Sequence, residues 1–426
     1  MRSPADPHKP NRIHPIALRA RVALFVGFFV FGVNGSSWMA RMPTVRSTFD
    51  LSEPQLGLLL TTMAVGSLVS VVFSGTIVAI LGTRITMRLA GVLIFVSLMT
   101  MAAALMLDML GLFISALLIV GAAGPLVNIP LNVSASDVSR ALEREIMPHF
   151  HGAFSAGAVA GSGLAAGAAR LNIELAHQLL VVGVLGPVTM IVIARTATAL
   201  SDQDELLPDS AIRAASADTP EQIDKPARRS NLEATKSSFQ VWREPRTLTI
   251  GLLLLFSSMS EGTANAWLAI VVVDGVGASE ATGALAVSVF TSAMMVGRFA
   301  GPGIIKRLGR PRTMVAIASM SIFGLILIIV IAPIWAVMVG VVAWGLGVSL
   351  SGPVALAAAA DRKNGAAARV SVVTSFGSAG QLVTPPLLGR VAGAVGPRAM
   401  LWVVVGALLA TIVLSPAVRP ESSEKN

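Results

Sequence analysis

Twelve apolar stretches of about 20 residues divide this chain, and about 20 residues is what a helix needs to cross ~30 Å of hydrocarbon. They lie near residues 21–40, 55–79, 87–107, 110–132, 149–170 and 178–197, and, beyond a polar gap, near 247–273, 281–300, 313–332, 335–359, 370–393 and 398–417. In lipid a backbone must satisfy its own hydrogen bonds, so stretches of this length predict helices. The resulting organisation is a cytoplasmic tail over 1–20, a six-helix bundle over 21–197, a linker over 198–246, a second six-helix bundle over 247–417 and a tail over 418–426. The linker is rich in Asp, Glu, Pro, Ser and Ala, lacks an apolar period and reads as flexible.

Charge supports the same reading. Only 13% of residues are charged, against 54% hydrophobic, which is too apolar for a soluble protein of 426 residues. The net charge of +9 comes from bases scattered between apolar runs, which excludes a nucleic-acid face and fits loops flanking spans. With the N-terminus inside, only Arg41, Arg46, Arg170, Arg390 and Arg398 fall on the outer side. Positive residues concentrate on the cytoplasmic side of spans, so both termini are expected there, in a multi-pass protein of the inner membrane. The chain has no cysteine, no Gly-Lys-Ser/Thr phosphate loop, no cluster with metal-ligand spacing and no nucleophile elbow. These absences argue against a pump fuelled by a nucleotide within this chain, a metal or cofactor site, and an enzyme.

A shift of 227 residues lays Ser52-Glu53 on Ser279-Glu280, Leu81-Gly82 on Leu308-Gly309, Thr86-Met87 on Thr313-Met314 and Asn34-Gly35 on Glu261-Gly262. The common offset, falling at two helix starts and two turns, predicts a parallel duplication. The fold class is therefore an all-α membrane protein with twelve transmembrane helices in two pseudo-symmetric six-helix bundles.

Polar side chains sort the spans by threes. Spans 1, 4, 7 and 10 hold the deep polar and aromatic residues, spans 3, 6, 9 and 12 are almost purely apolar and suit lipid, and spans 2, 5, 8 and 11 are rich in small residues. Gly157 with Gly161, and Gly163 with Gly167, have the spacing that lets helices approach closely. This pattern predicts a central cavity, a lipid shell and a close-packed seam between the halves. Glu261 lies near the middle of span 7, where an acid costs roughly 2.5 to 3.5 kcal/mol and marks a functional site by default. A structural acid tied to a neighbouring helix is the plainer alternative. The serine run before Glu261 and Asn265 one turn after it favour a cavity-facing acid that couples transport to protons.

The candidate cavity residues are Asn34, Trp38, Asn128, Asn132, His151, Asn265, Trp267, Trp344 and Gln381. Each has a plainer reading as interhelical glue, packing aromatic or satisfied histidine. Pro125 and Pro130 bracket Asn128 and weaken the backbone ladder of span 4.

These residues resemble the major facilitator superfamily over essentially the whole chain apart from the termini and linker. In that family's loop signature Gly75, Gly82 and Arg84 fit in the first half, and Arg307, Gly309 and Arg310 in the second, with Ala79 and Lys306 where the pattern has an acid. Four segments resemble a bacterial branch near the fucose–proton symporters. They are Ser37-Trp38-Met39-Ala40-Arg41-Met42-Pro43, Leu131-Asn132-Val133, the run from Phe150 to Gly157, and Glu261-Gly262 with Trp267. Ala266 stands where that branch has an acid before the tryptophan. The resemblance implies a secondary transporter working by alternating access. The expected partners are a small polar solute of sugar or polyol type, a proton and the surrounding lipid. Export of amphipathic compounds, and a non-transporting receptor on the same fold, are the open alternatives.

Overall fold

A computed structural model describes residues 13–142, 144, 146–201, 241–331, 333–362 and 366–420. Most of the expected linker, residues 202–240, and the ends of both tails lie outside the described residues. The first half comprises α1 Ile13–Met39, the short α2 Met42–Thr48, α3 Glu53–Leu107, α4 Leu110–Ala141, α5 Met147–Arg170 and α6 Leu175–Ala197. The second comprises α7 Pro245–Ile270, α8 Glu280–Leu308, α9 Arg310–Val330, α10 Ile334–Val348, α11 Ser351–Ala359, α12 Ala366–Val395 and α13 Leu401–Leu414. A π turn, Val271–Gly275, ends α7, and a 3₁₀ turn, Ser415–Val418, ends α13.

α3 is two spans joined at Gly82, and α10 with α11 is one span broken near Ser349, so the chain crosses its own long axis twelve times as expected. Among the described residues nine helices are long and apolar enough to cross a membrane, the 55-residue α3 being one of them. α7 and α12, richer in Ser and Thr, complete the set. Exposed apolar side chains such as Ile85, Val181, Val192, Phe323, Val330 and Val413 form the outer surface of spans 3, 6, 9 and 12. An apolar surface of that extent belongs in lipid.

The duplication holds in local geometry. Gly82 (φ 75, ψ 162) and Gly309 (φ 74, ψ 161) adopt the same left-handed conformation, which only glycine takes without strain. After each, a buried threonine hydroxyl, Thr86 or Thr313, donates to that glycine's carbonyl at 2.8 Å. Ser52 and Ser279 start the second span of each half with matching extended dihedrals. The Ser52 amide donates to Gln55 Oε1 and the Thr282 amide donates to Ser279 Oγ.

Spans 2 and 11, and spans 5 and 8, form the seam between halves. A Cβ on Gly57 would stand 2.5 Å from the Pro385 carbonyl oxygen, and one on Gly389 2.7 Å from that of Glu53, so these two backbones touch with no side chain between them. The expectation for span 5 needs correcting. Gly157 and Gly161 face the Phe29 and Val33 carbonyls of span 1 within the same half, and only Gly163 faces the seam, toward Ser288. Small residues here serve packing inside a half as much as packing between halves.

Candidate functional site

The two ends of the bundle differ in where their charges pair. At the end away from the termini, the loop after span 1 carries Arg41 and Arg46. Arg41, 3% exposed, makes a two-pronged pair with Glu280 at the start of span 8 (2.7 and 3.1 Å). It also donates to the Ile173 carbonyl and to Gln178 Oε1, while Gln178 donates to the Ser37 carbonyl. Arg46 pairs with Asp274 of the π turn and, within its own half, with Glu53. Both halves are thus clamped together at this far end. A cavity of about 600 Å³ beside the clamp is lined by Arg41, Thr44, Thr48, Asn172, Glu174 and Glu280.

At the terminal end the described ion pairs stay within one half. Asp137 pairs with Arg140, Glu244 with Arg369, and Asp361 takes both Arg246 and Arg310. Hydrogen bonds from Arg369 hold the Glu244 carboxyl below the usual carboxylate range. Of the loop-signature residues, Gly82 and Gly309 make the turns, Arg310 holds Asp361, and Arg307 sits in the last turn of α8. Gly75 and Arg84 flank the first turn, and Gly75 has open space around it.

Between these ends, Glu261 pairs with Arg298 of span 8 through Nη2 and Oε1 at 3.2 Å. The two side chains are 29% and 37% exposed, so the pair is reachable rather than sealed. The hydropathy reading ends span 8 near residue 300, two residues beyond Arg298, and gives that base no role. α8 runs on to Leu308, leaving Arg298 about 15 Å inside the helix end at 1.5 Å per residue. The turn at Gly309 was the available signal, since it fixes where the helix stops.

Around the pair, Asn265 is exposed one turn beyond Glu261, Gln381 of span 11 lies beside Gly262, and Ser258 is half-buried one turn before. His151 is exposed near the start of span 5, edge-on to Phe28 at 5.5 Å. The neighbouring residues also meet across the seam: a Cβ on Gly152 would lie 3.0 Å from the Phe299 ring. Glu261 and Arg298 thus lie beside the seam with span 5, within the second half. On span 4, Asn128 is exposed and Asn132 half-buried, and Asn132 donates to the Asn128 carbonyl and side-chain oxygen. Both prolines remain inside an unbroken α4.

Four candidates sit elsewhere in this conformation. Trp38, Trp267 and Trp344 are at most 2% exposed, packed within the halves. Trp344 donates from Nε1 to Ser260 Oγ at 2.9 Å and stacks edge-on against Phe290. Asn34, 4% exposed, turns toward Gly186 of span 6, so the residue matching Glu261 in the repeat does not share its direction. Burial of a large aromatic inside a bundle removes more apolar surface than a cavity wall can, which is why the aromatics went inward.

Residues 250–426 match the family model described as Major Facilitator Superfamily. An uncharacterized MFS-type transporter of Yersinia pestis is 26% identical over 90% of this chain and 92% of its own length. An uncharacterized transporter of Sinorhizobium fredii is 26% identical over 92% of this chain and 96% of its own. Among solved structures, a D-xylose-proton symporter superposes with TM-score 0.69 at 12% identity, covering 96% of this chain and 99% of that one. The nucleoside transporter NupG superposes with TM-score 0.66 at 12% identity, covering 95% and 98%. At such identities the likeness shows a shared fold.

Proposed function

We propose that the chain, whose residues 250–426 match the Major Facilitator Superfamily model, is a major facilitator and a proton-coupled secondary transporter of a small polar solute of sugar or polyol type. The halves exchange access to a mid-depth site by rocking about their seam. The conformation described corresponds to the state shut at the far end, where Arg41–Glu280 and Arg46–Asp274 clamp the halves. The excess of Lys and Arg on the terminal side supports a cytoplasmic terminal end and placement in the inner membrane.

The observation that carries the proposal is Glu261 on span 7, paired with a base, partly exposed, and set beside the seam. A carboxylate there changes its solvation when the halves move, and a change in solvation changes its proton affinity. Exposed amides at Asn265, Gln381 and Asn128 supply hydrogen bonds for hydroxyl groups, in a wall that is otherwise apolar. The test is solute flux in proteoliposomes with and without an imposed pH gradient. Glu261→Gln is expected to abolish gradient-driven accumulation while leaving downhill exchange. Accumulation that still follows the gradient in the variant overturns the coupling role.

A further inference from the structure

The Glu261–Arg298 pair has one contact where a guanidinium can make several. Only Nη2 of Arg298 reaches Oε1 of Glu261, at 3.2 Å, and among the described residues no other hydrogen bond is made by this arginine. With 37% of its side chain exposed, Arg298 turns the rest of its planar fork outward. Such a fork matches the two oxygens of a carboxylate.

Charge accounting narrows what can fill that fork. Span 7 packs against spans 8, 10, 11 and 12 and against α2. Span 10 carries no ionisable side chain, and span 12 carries only Arg398 at its far-end start, bonded to the Ile328 carbonyl. Span 11 carries Arg369, tied to Glu244, and Arg390 near its other end, and α2 carries Arg46, tied to Asp274. Span 8 carries Glu280, tied to Arg41, and Lys306 and Arg307 in its last turn. Arg298 is the charged group paired with Glu261. In the unloaded state Glu261 and Arg298 cancel. When Glu261 takes a proton, Arg298 loses its counter-charge. A neutral sugar leaves that charge in place, and a dianion overshoots it. One negative charge on the solute for one proton on Glu261 keeps the site neutral both loaded and unloaded.

We propose that Arg298 is a binding residue for the solute and that the solute is a hydroxylated monocarboxylate, such as a sugar acid, whose carboxylate takes the place of Glu261 on the guanidinium once Glu261 is protonated. This inference rests on the proton-coupling reading of Glu261 and adds the solute's charge to it. No bond other than the O–H of the Glu261 carboxyl is made or broken. Asn265 and Gln381 are placed to meet the hydroxyl groups.

The test compares glucuronate, galacturonate and gluconate with glucose, galactose and glucitol as ligands of the purified full-length protein. Thermal stabilisation and intrinsic tryptophan fluorescence are read at about pH 6 and about pH 8, on either side of the ordinary histidine value. At least one acid is expected to bind about ten-fold or more tightly than its neutral counterpart, and more tightly at the lower pH. Arg298→Gln is expected to remove that preference and Arg298→Lys to restore part of it. Glu261→Gln, which mimics the protonated acid, is expected to bind the acid at the higher pH as wild type does at the lower. His151→Gln is expected to retain the pH dependence.

No acid outperforming its neutral counterpart overturns the proposal, as does a preference for glucosamine. An acid preference unchanged in Arg298→Gln overturns it too. Should Arg298→Gln fail to fold, the lysine variant and Glu261→Gln still decide. Gradient-driven flux that persists in Glu261→Gln defeats the coupling reading alone, because the preference for acids over neutral sugars is read in a binding assay without a gradient.

Discussion

Among the described residues, charges at the far end of the bundle pair across the two halves, and those at the terminal end pair within each half. Arg41 and Glu280 belong to different halves and are held in a buried, multiply hydrogen-bonded contact. Asp361, by contrast, gathers Arg246 and Arg310 from its own half. The first arrangement opposes separation of the halves, whereas the second stiffens one half. The acids of the clamp, Glu280 and Asp274, lie at the end opposite the loop-signature positions Ala79 and Lys306, so the clamp does not depend on the signature.

Breaking the buried pair should have the largest effect. Arg41→Ala leaves Glu280 without its partner and is expected to cost about 3 kcal/mol of far-end closure. Because the chain has no cysteine, a single Thr48→Cys reporter in the cavity beside the clamp can be followed by thiol labelling. Its rate should rise by about two orders of magnitude in the Arg41→Ala background. An unchanged rate would mean that apolar packing, rather than the ion pair, holds the far end shut. Next in size is Gly57→Val, which pushes a side chain into the Pro385 carbonyl. It should cost about 1–3 kcal/mol, raise labelling of the same reporter and leave the ion pairs inside each half intact. A drop in thermal stability without faster labelling would place Gly57 in the folding of its own half instead.

The smallest effect should come from the terminal end. The folded-state pKa of Glu244 is depressed by Arg369. Its contribution is therefore present above the ordinary glutamate value of about 4.3 and lost as pH falls through the lower folded value. Acidification through that window should loosen the start of span 7 from span 11, seen as faster amide exchange at residues 245–250, with no change in far-end labelling. Glu244→Gln should remove that acid-induced step.

The fold was readable because membrane burial writes itself into long apolar runs, and because the duplicated turns at Gly82 and Gly309 admit little besides glycine. Glu261 was readable by its depth. Arg298 was not, because a span drawn to residue 300 places that base at its end, whereas the helix runs on ten residues beyond it. The tryptophans illustrate a different loss: a period of three says which spans are polar, but not toward which neighbour each side chain turns. Only the packing of Trp344 against Phe290, and of Asn34 against Gly186, settles that direction.

The contact between Gly57 and Gly389 gives the two halves a fulcrum close to one end of the molecule. From Gly57 to the turn at Gly82 span 2 extends about 38 Å at 1.5 Å per residue, so in the proposed rocking motion it would act as a long lever with its pivot near the tip. A tilt of about ten degrees there would sweep the terminal end through about 6.5 Å on that geometry, while the pivot itself barely shifts. Small adjustments at the clamp would thereby be multiplied into a wide aperture at the opposite mouth.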